Sequence, residues 1–203
     1  MPRPRISILT TILLMTIAAM AIVIAQFWRE IGPLRAEVRS LRNETGRLSI
    51  DDPTRLYAIE VRTQAERTWK WRVWVPQGET AMVSVQWGKV PKAGVPRSSG
   101  SIQVESGEHW ITLSAAFDPK ASYWTSQLAT ETGSVGSMIQ PDEHWFDFKQ
   151  CAAVSDGVST YSAEAKPGKK AFVLKRYRAA QVSNSANIPA DPTPGFIIWL
   201  DRR

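Results

Sequence analysis

The sequence predicts a mainly β fold: a β-sandwich-like domain behind an N-terminal membrane helix and a short amphipathic or coiled-coil helix. Three observations carry that expectation. Period-2 alternation of apolar and polar residues dominates the chain after Leu56, the pattern of half-buried strands. Nine of the thirteen Pro and ten of the twelve Gly punctuate the same region as turns between short strands would require. Helical spacing of apolar residues appears only before residue 49, so an α/β alternation has no support.

The first element is the membrane segment. From Ile6 to Ala25 there is no charge, and only Ser7, Thr10, Thr11 and Thr16 interrupt the apolar run. About twenty residues at a rise of about 1.5 Å span roughly 30 Å, the hydrocarbon thickness of a bilayer. Phe27 and Trp28 follow where an interfacial aromatic belt would sit. The segment divides as a basic tail over 1–5 and a lipid-partnered transmembrane helix over 6–28. The Val23-Ile24-Ala25 triplet also suits signal cleavage, but the apolar run exceeds the usual signal length, which favours a retained anchor. Arg3 and Arg5 before the helix point to a cytoplasmic N-terminus, with the β domain outside the cytoplasm at the inner membrane. Arg29, Arg35, Arg39 and Arg42 after it argue for the alternative, a cytoplasmic β domain. The very short basic tail, typical of Sec-delivered anchors, decides for the former.

The second element is a stalk over 29–48. Ile31, Leu34, Val38, Leu41, Thr45 and Leu48 follow the a/d rhythm of a heptad seam, with Arg and Glu between them. This predicts either a homodimer through 31–48 or a single amphipathic helix. Gly32-Pro33 predicts a break after the membrane, and Gly46 an end signal.

The third element is the β domain, 49–203, about 155 residues and long enough to enclose a core. Tyr57, Ile59 and Val61 alternate with Ala58, Glu60 and Arg62. Trp69, Trp71, Val73 and Val75 alternate with Lys70, Arg72 and Trp74. Ala81, Val83, Val85 and Trp87 alternate with Met82, Ser84 and Gln86. Pro76–Glu79 reads as a hairpin loop joining the last two runs. Further strands are expected over 101–105, 109–117, 121–128, 144–149, 157–163, 171–178 and 195–201. Loops are expected over 89–100 and 183–194, with a type II turn at Lys166–Lys169.

Charge excludes one class of partner. The net charge is +6, but residues 1–48 hold seven Arg against three Glu, leaving 18 basic and 16 acidic residues for the rest. The β domain therefore has no nucleic-acid footprint. The only cysteine is Cys151, so no internal disulfide braces the fold.

Few residues suggest chemistry. Asp142, Glu143 and His144 could offer metal ligands or a base, yet adjacent strand residues diverge, and a polar turn is the expectation. Cys151 with His109 or His144 would make a thiol–imidazole pair, but no nucleophile-elbow pattern or local signature surrounds it. No spaced Cys/His set predicts a metal, and no glycine loop predicts a phosphate or nucleotide cofactor. The basic run Lys169, Lys170, Lys175, Arg176 and Arg178 reads as the solvated side of a hairpin or a contact to anionic lipid or polymer. Nine tryptophans are mostly core by alternation. Trp74, on the opposite face beside Arg72, is the candidate exposed binding ring, so Trp74 and Arg72 form the expected binding site.

The succession of basic tail, membrane helix, Leu34–Leu48 stalk, Leu48-Ser49-Ile50-Asp51-Asp52-Pro53, Tyr57-Ala58-Ile59-Glu60-Val61, Thr68-Trp69-Lys70-Trp71-Arg72-Val73-Trp74-Val75-Pro76 and Gly195-Phe196-Ile197-Ile198-Trp199-Leu200 resembles a group of bacterial membrane-anchored proteins of planctomycete type. The similarity spans nearly the whole chain and is weakest over 88–140. It implies this architecture and no site residue. The function expected is a non-enzymatic envelope protein whose β domain binds a protein partner or organises a surface layer, with an envelope protein or a polysaccharide as the expected partner. The alternatives are a carbohydrate- or polymer-binding module using exposed Trp, and an envelope hydrolase using Asp142, His144 or Cys151.

Overall fold

The computed structural model of the protein describes residues 8–44, 46–120, 122–139, 151–166, 171–181 and 191–203. They form two compact units, Met1–Leu41 and Arg42–Arg203.

The first unit is built on one helix, α1 (Ile8–Glu44). Its stretch Ile12–Pro33, 22 residues, is long and apolar enough to cross a membrane. Apolar side chains cover it on every side, from Met15 and Met20 to Trp28, which is 78% exposed. Thr16 returns its hydroxyl to the carbonyls of Ile12 and Leu13, both at 2.9 Å, so this polar interruption needs no water. The break expected at Gly32-Pro33 does not occur, because α1 continues through Pro33. A proline removes one N–H bond from the helical ladder, and the bonds of neighbouring turns keep the path helical.

Past the helix, Gly46 adopts φ 64°, the left-handed conformation that ends helices. An added Cβ there would also lie 2.9 Å from Cγ2 of Val61. Leu48 does not extend a helical seam. It is buried with Tyr57 and Ile59 against the β unit, which shortens the heptad pattern at its C-terminal end. Thr45 and the side chains of 34–44 lie outside the described residues.

The second unit is mainly β. Its strands are β1 (Tyr57–Val61), β2 (Thr68–Val75), β3 (Ala81–Val90), β4 (Gly100–Val104), β5 (Gly107–Asp118), β6 (Tyr123–Thr130), β7 (Ser134–Ile139), β8 (Cys151–Gly157), β9 (Ala163–Glu164), β10 (Ala171–Gln181) and β11 (Thr193–Arg202). They form a first sheet of order β7-β6-β5-β2-β1-β9 and a second of order β4-β3-β11-β10-β8. Every pairing is antiparallel. One core lies between the sheets: Trp71, Val73, Ile111, Leu113 and Leu128 from the first meet Val83, Val85, Phe196, Ile198 and Leu200 from the second. Trp69 stands 4.6 Å from Phe196 between ring centroids, and Tyr177 stacks on Phe196 at 5.3 Å.

Four expectations need correction. Pro76–Glu79 joins no hairpin, because β2 and β3 belong to different sheets. It is the turn by which the chain changes sheets, closed by Glu79 N–H on the Pro76 carbonyl at 3.2 Å with Gly78 at φ 78°. The run 157–163 is not one strand, since the chain leaves β8 at Gly157 and re-pairs only at β9. The strands β7 and β8 fall where none was expected. And β1 does not turn Ala58 and Glu60 to water. Ala58 lies in the core while Tyr57 and Ile59 are buried on the sheet's outer face under the incoming linker. The strand expected over 144–149 and the turn at Lys166–Lys169 lie outside the described residues, apart from Lys166.

The linker closes on a polar turn. Asp52 accepts from the Thr54 hydroxyl at 2.7 Å and the Thr54 amide at 2.9 Å. Arg55 pairs with Asp52 at 3.1 Å and reaches Glu164 on β9. The Thr54 hydroxyl, then its amide, hold the Asp52 carboxyl below its usual range, and Arg55 adds to this. A depressed carboxyl stabilises the folded turn above the ordinary Asp value of about 3.9, and that contribution fades as pH falls through the lower folded value. The Thr54 amide should therefore keep its protection from exchange at pH 5 and lose it in strong acid, as amide exchange by NMR would show.

Packing makes a second expectation. Trp71 is 0% exposed, so Trp71→Ala should cost about 3–5 kcal/mol. Gln127→Ala, on the exposed face of β6, should change stability by less than about 0.5 kcal/mol. Denaturant midpoints of the two variants decide the point.

Candidate functional site

The sequence-predicted residues separate in the fold. Trp74 is on the outer face of the first sheet as expected, but its ring is half-buried. It packs on the Leu48–Tyr57–Ile59 cluster, and its Nε1–H donates to the Pro53 carbonyl at 3.1 Å. It thus fastens the linker to β2. Arg72 pairs with Trp110 across the β2–β5 ladder. Its guanidinium lies 4.1 Å from the Trp110 ring centroid, and Nε lies 3.0 Å from Glu108. Lys70 covers the same ring at 4.1 Å. Two cations on one indole already occupy the faces a sugar ring would stack on. Among the described residues of the β unit, no tryptophan is exposed.

The residues considered for catalysis do not form a described constellation. Asp142, Glu143 and His144 lie outside the described residues. Cys151 opens β8, an edge of the second sheet, and its side chain is likewise outside them. His109 is on β5 of the first sheet. Its Nε2 is 2.9 Å from the Glu105 carbonyl oxygen and its Nδ1 is 3.1 Å from Glu131. Both ring nitrogens are thereby engaged in bracing two neighbouring turns. Among the described residues, no group of His, Cys, Asp and Glu could hold a metal ion.

The basic run departs furthest from its expected role. The register of β10 against β11 shifts between Val173 and Lys175, so Leu174 and Lys175 both face the interior. Lys175 reaches across to Glu60 of the first sheet, with Nζ 3.0 and 3.1 Å from its two carboxylate oxygens. Arg176 and Arg178 are each only 8% exposed. Neither forms a solvated hairpin face. Lys169 and Lys170 lie outside the described residues.

Arg176 explains what covers the second sheet. From the outer face it donates to the Lys92 carbonyl at 2.6 Å and the Gly94 carbonyl at 2.8 Å, with Asp156 beside it at 3.5 Å. These bonds hold the loop 91–99 across the sheet as a strap. Its far end is fixed by Ser99, whose amide donates to Val85 at 2.8 Å and whose hydroxyl donates to Gln86 at 2.6 Å.

Between strap and sheet runs a groove of about 600 Å³. Its floor follows the register, because Ser101, Ser84 and Trp199 stand side by side across β4, β3 and β11, with Met82 and Asp201 beside them in the next row. Ser84 and Ser101 hydroxyls are 2.9 Å apart, and Ser101 donates on to Ser98 of the strap at 3.2 Å. Trp199 is 3% exposed and donates Nε1–H to Asp201 at 2.7 Å. Arg202 and Arg203 stand at one end, Arg202 paired with Glu79. That carboxylate raises the Arg202 guanidinium above its ordinary value. No sequence motif links these residues, and only the strand order gathers them. Comparisons with protein-family models, curated proteins and solved structures give no match to this chain.

Loss of the clamp should be visible. A hydrogen bond to a charged group contributes about 1.5–3 kcal/mol. Arg176→Met should therefore loosen the strap, raising amide exchange and proteolytic cutting over 91–99 before the core strands are affected.

Proposed function

We propose that this chain is a membrane-anchored envelope protein of the class its sequence resembles, held by α1 in the inner membrane, with its β-sandwich serving as an extracytoplasmic interaction module. The observation that supports the anchor is the wholly exposed apolar surface of Ile12–Pro33. Water would leave each of its large side chains short of about 1.5–3 kcal/mol of burial, and lipid supplies that burial. The basic tail with Arg3 and Arg5 supports the orientation. The strapped groove supports binding as the module's activity, since it is concave and mixes apolar and polar walls.

Fractionation tests the reading. Full-length protein should stay with membranes through an alkaline carbonate wash, and protease added outside spheroplasts should remove the β unit. Ile17→Arg combined with Ile22→Arg, at about 2.5–3.5 kcal/mol per central charge, should shift the chain into the soluble fraction. An uncleaved wild-type chain found freely soluble would contradict the anchor, and a protease-shielded β unit would reverse the orientation.

A further inference from the structure

We infer that the groove under the 91–99 strap binds a short, neutral oligosaccharide. The inference rests on the reading of the β unit as an interaction module and names the ligand class for it.

Four properties of the groove select that chemistry. Its size of about 600 Å³ falls within the roughly 300–1,000 Å³ that small-molecule sites occupy, which suits a di- or trisaccharide. Its polar wall presents the hydroxyls of Ser101 and Ser98, backed by the buried Ser84 hydroxyl on Ser101, and a serine hydroxyl can both donate and accept. Asp201 gives one oxygen to the Trp199 indole, and a carboxylate has acceptor capacity beyond that single bond. Sugar hydroxyls match such a mixed set of donors and acceptors, while Met82, Val95 and Pro96 offer apolar surface to the C–H faces of a pyranose. The charge is also close to balanced. Arg202 is neutralised by Glu79, and Arg203 offsets Asp201, so an anionic polymer or phosphate ligand gains no net attraction.

The sheet register argues against a peptide. An extended peptide usually binds by adding a strand to an exposed sheet edge. The floor of this groove is the face of β4, β3 and β11, of which β3 and β11 are paired on both sides. Among the described residues the one free backbone edge beside it is that of β4, which borders the floor and does not run along it. A lipid chain is disfavoured by the hydroxyl line, which it would strip of water without replacing the hydrogen bonds. The tryptophan in this site acts through its N–H on Asp201 and as floor, unlike the exposed stacking ring expected from sequence.

The test uses full-length protein in nanodiscs or a detergent without a sugar head group, since maltoside detergents would compete. Saturation-transfer NMR is run with maltotriose, cellotriose, mannotriose and the trimer of N-acetylglucosamine, each to about 10 mM, so that even millimolar affinity registers. At least one trisaccharide should give transfer. Asp201→Ala should weaken it by about tenfold or more, a change of at least 1.4 kcal/mol. Ser101→Trp, an exposed position on β4 whose new ring would fill the groove, should abolish it. Gln127→Ala, on the other sheet, should leave it unchanged. Near-UV circular dichroism confirms that each variant remains folded, and Ser101→Trp carries the test if Asp201→Ala does not. Absence of transfer from all four sugars, transfer that survives Ser101→Trp, or preferential capture of an unstructured peptide by the groove overturns the inference. The fractionation result stands apart from these outcomes, so a failed groove leaves the anchored-module reading intact, and a failed anchor leaves the groove to be judged on its own.

Discussion

Burial of apolar side chains between two sheets is the interaction on which the rest of this structure depends. Each sheet is held within itself by backbone hydrogen bonds, but among the described residues no strand ladder joins one sheet to the other. With Cys151 the only cysteine, no disulfide joins them either. What holds them is the Trp69–Phe196–Tyr177 ring group and the aliphatic layer around Trp71, Ile111 and Ile198. At about 1.5–3 kcal/mol for each fully buried large side chain, that layer is the main force opposing chain entropy. The cross-sheet pair Glu60–Lys175 adds orientation more than energy, because its partial burial costs hydration on both partners.

That core also fixes what happens on the outer faces. The chain enters along the first sheet, where Leu48 and Trp74 seal Tyr57 and Ile59. It crosses the second sheet as the 91–99 strap, where Val90, Ile197 and Trp199 are sealed. Arg176 is central to the second seal. A guanidinium buried on a sheet face must find acceptors, and it finds them in two strap carbonyls. The groove follows as a consequence: a strap tied to the sheet at Arg176 and again at Ser99 leaves space beneath it between the two ties.

The sequence made some of this legible. In β3, Ala81, Val83, Val85 and Trp87 point inward as their alternation predicts, and β2 obeys the same rule with Trp71, Val73 and Val75. Alternation failed where a second layer of chain covers the outer face, because β1 is then buried on both sides and its period carries no direction. It failed again at β10, where a bulge at Leu174 breaks the period and turns Lys175 inward. The strands β7 and β8 lie in Ser134–Ile139 and Cys151–Gly157, segments rich in small residues with weak alternation. The groove had no sequence signal at all. Ser84, Ser101 and Asp201 are ordinary residues in three strands, and strand order alone makes them neighbours. Arg72 was visible as a surface residue, but its stacking on Trp110 depends on the β2–β5 register. Trp74 was placed on the correct face, and the linker that occupies it could not be foreseen from its own strand.

The proposed anchor puts one chain in two solvents: a sandwich that buries its own core, and a helix long and apolar enough to cross a bilayer. Amide hydrogen exchange of the full-length protein in lipid nanodiscs tests this most directly. An anchored α1 would give slow exchange in two separate blocks, the central strands β2, β3, β5 and β11, and the α1 residues from Ile12 to Phe27. Rapid exchange throughout that helical stretch, with the sandwich strands still protected, would show that the bilayer does not hold it and would contradict the anchored architecture.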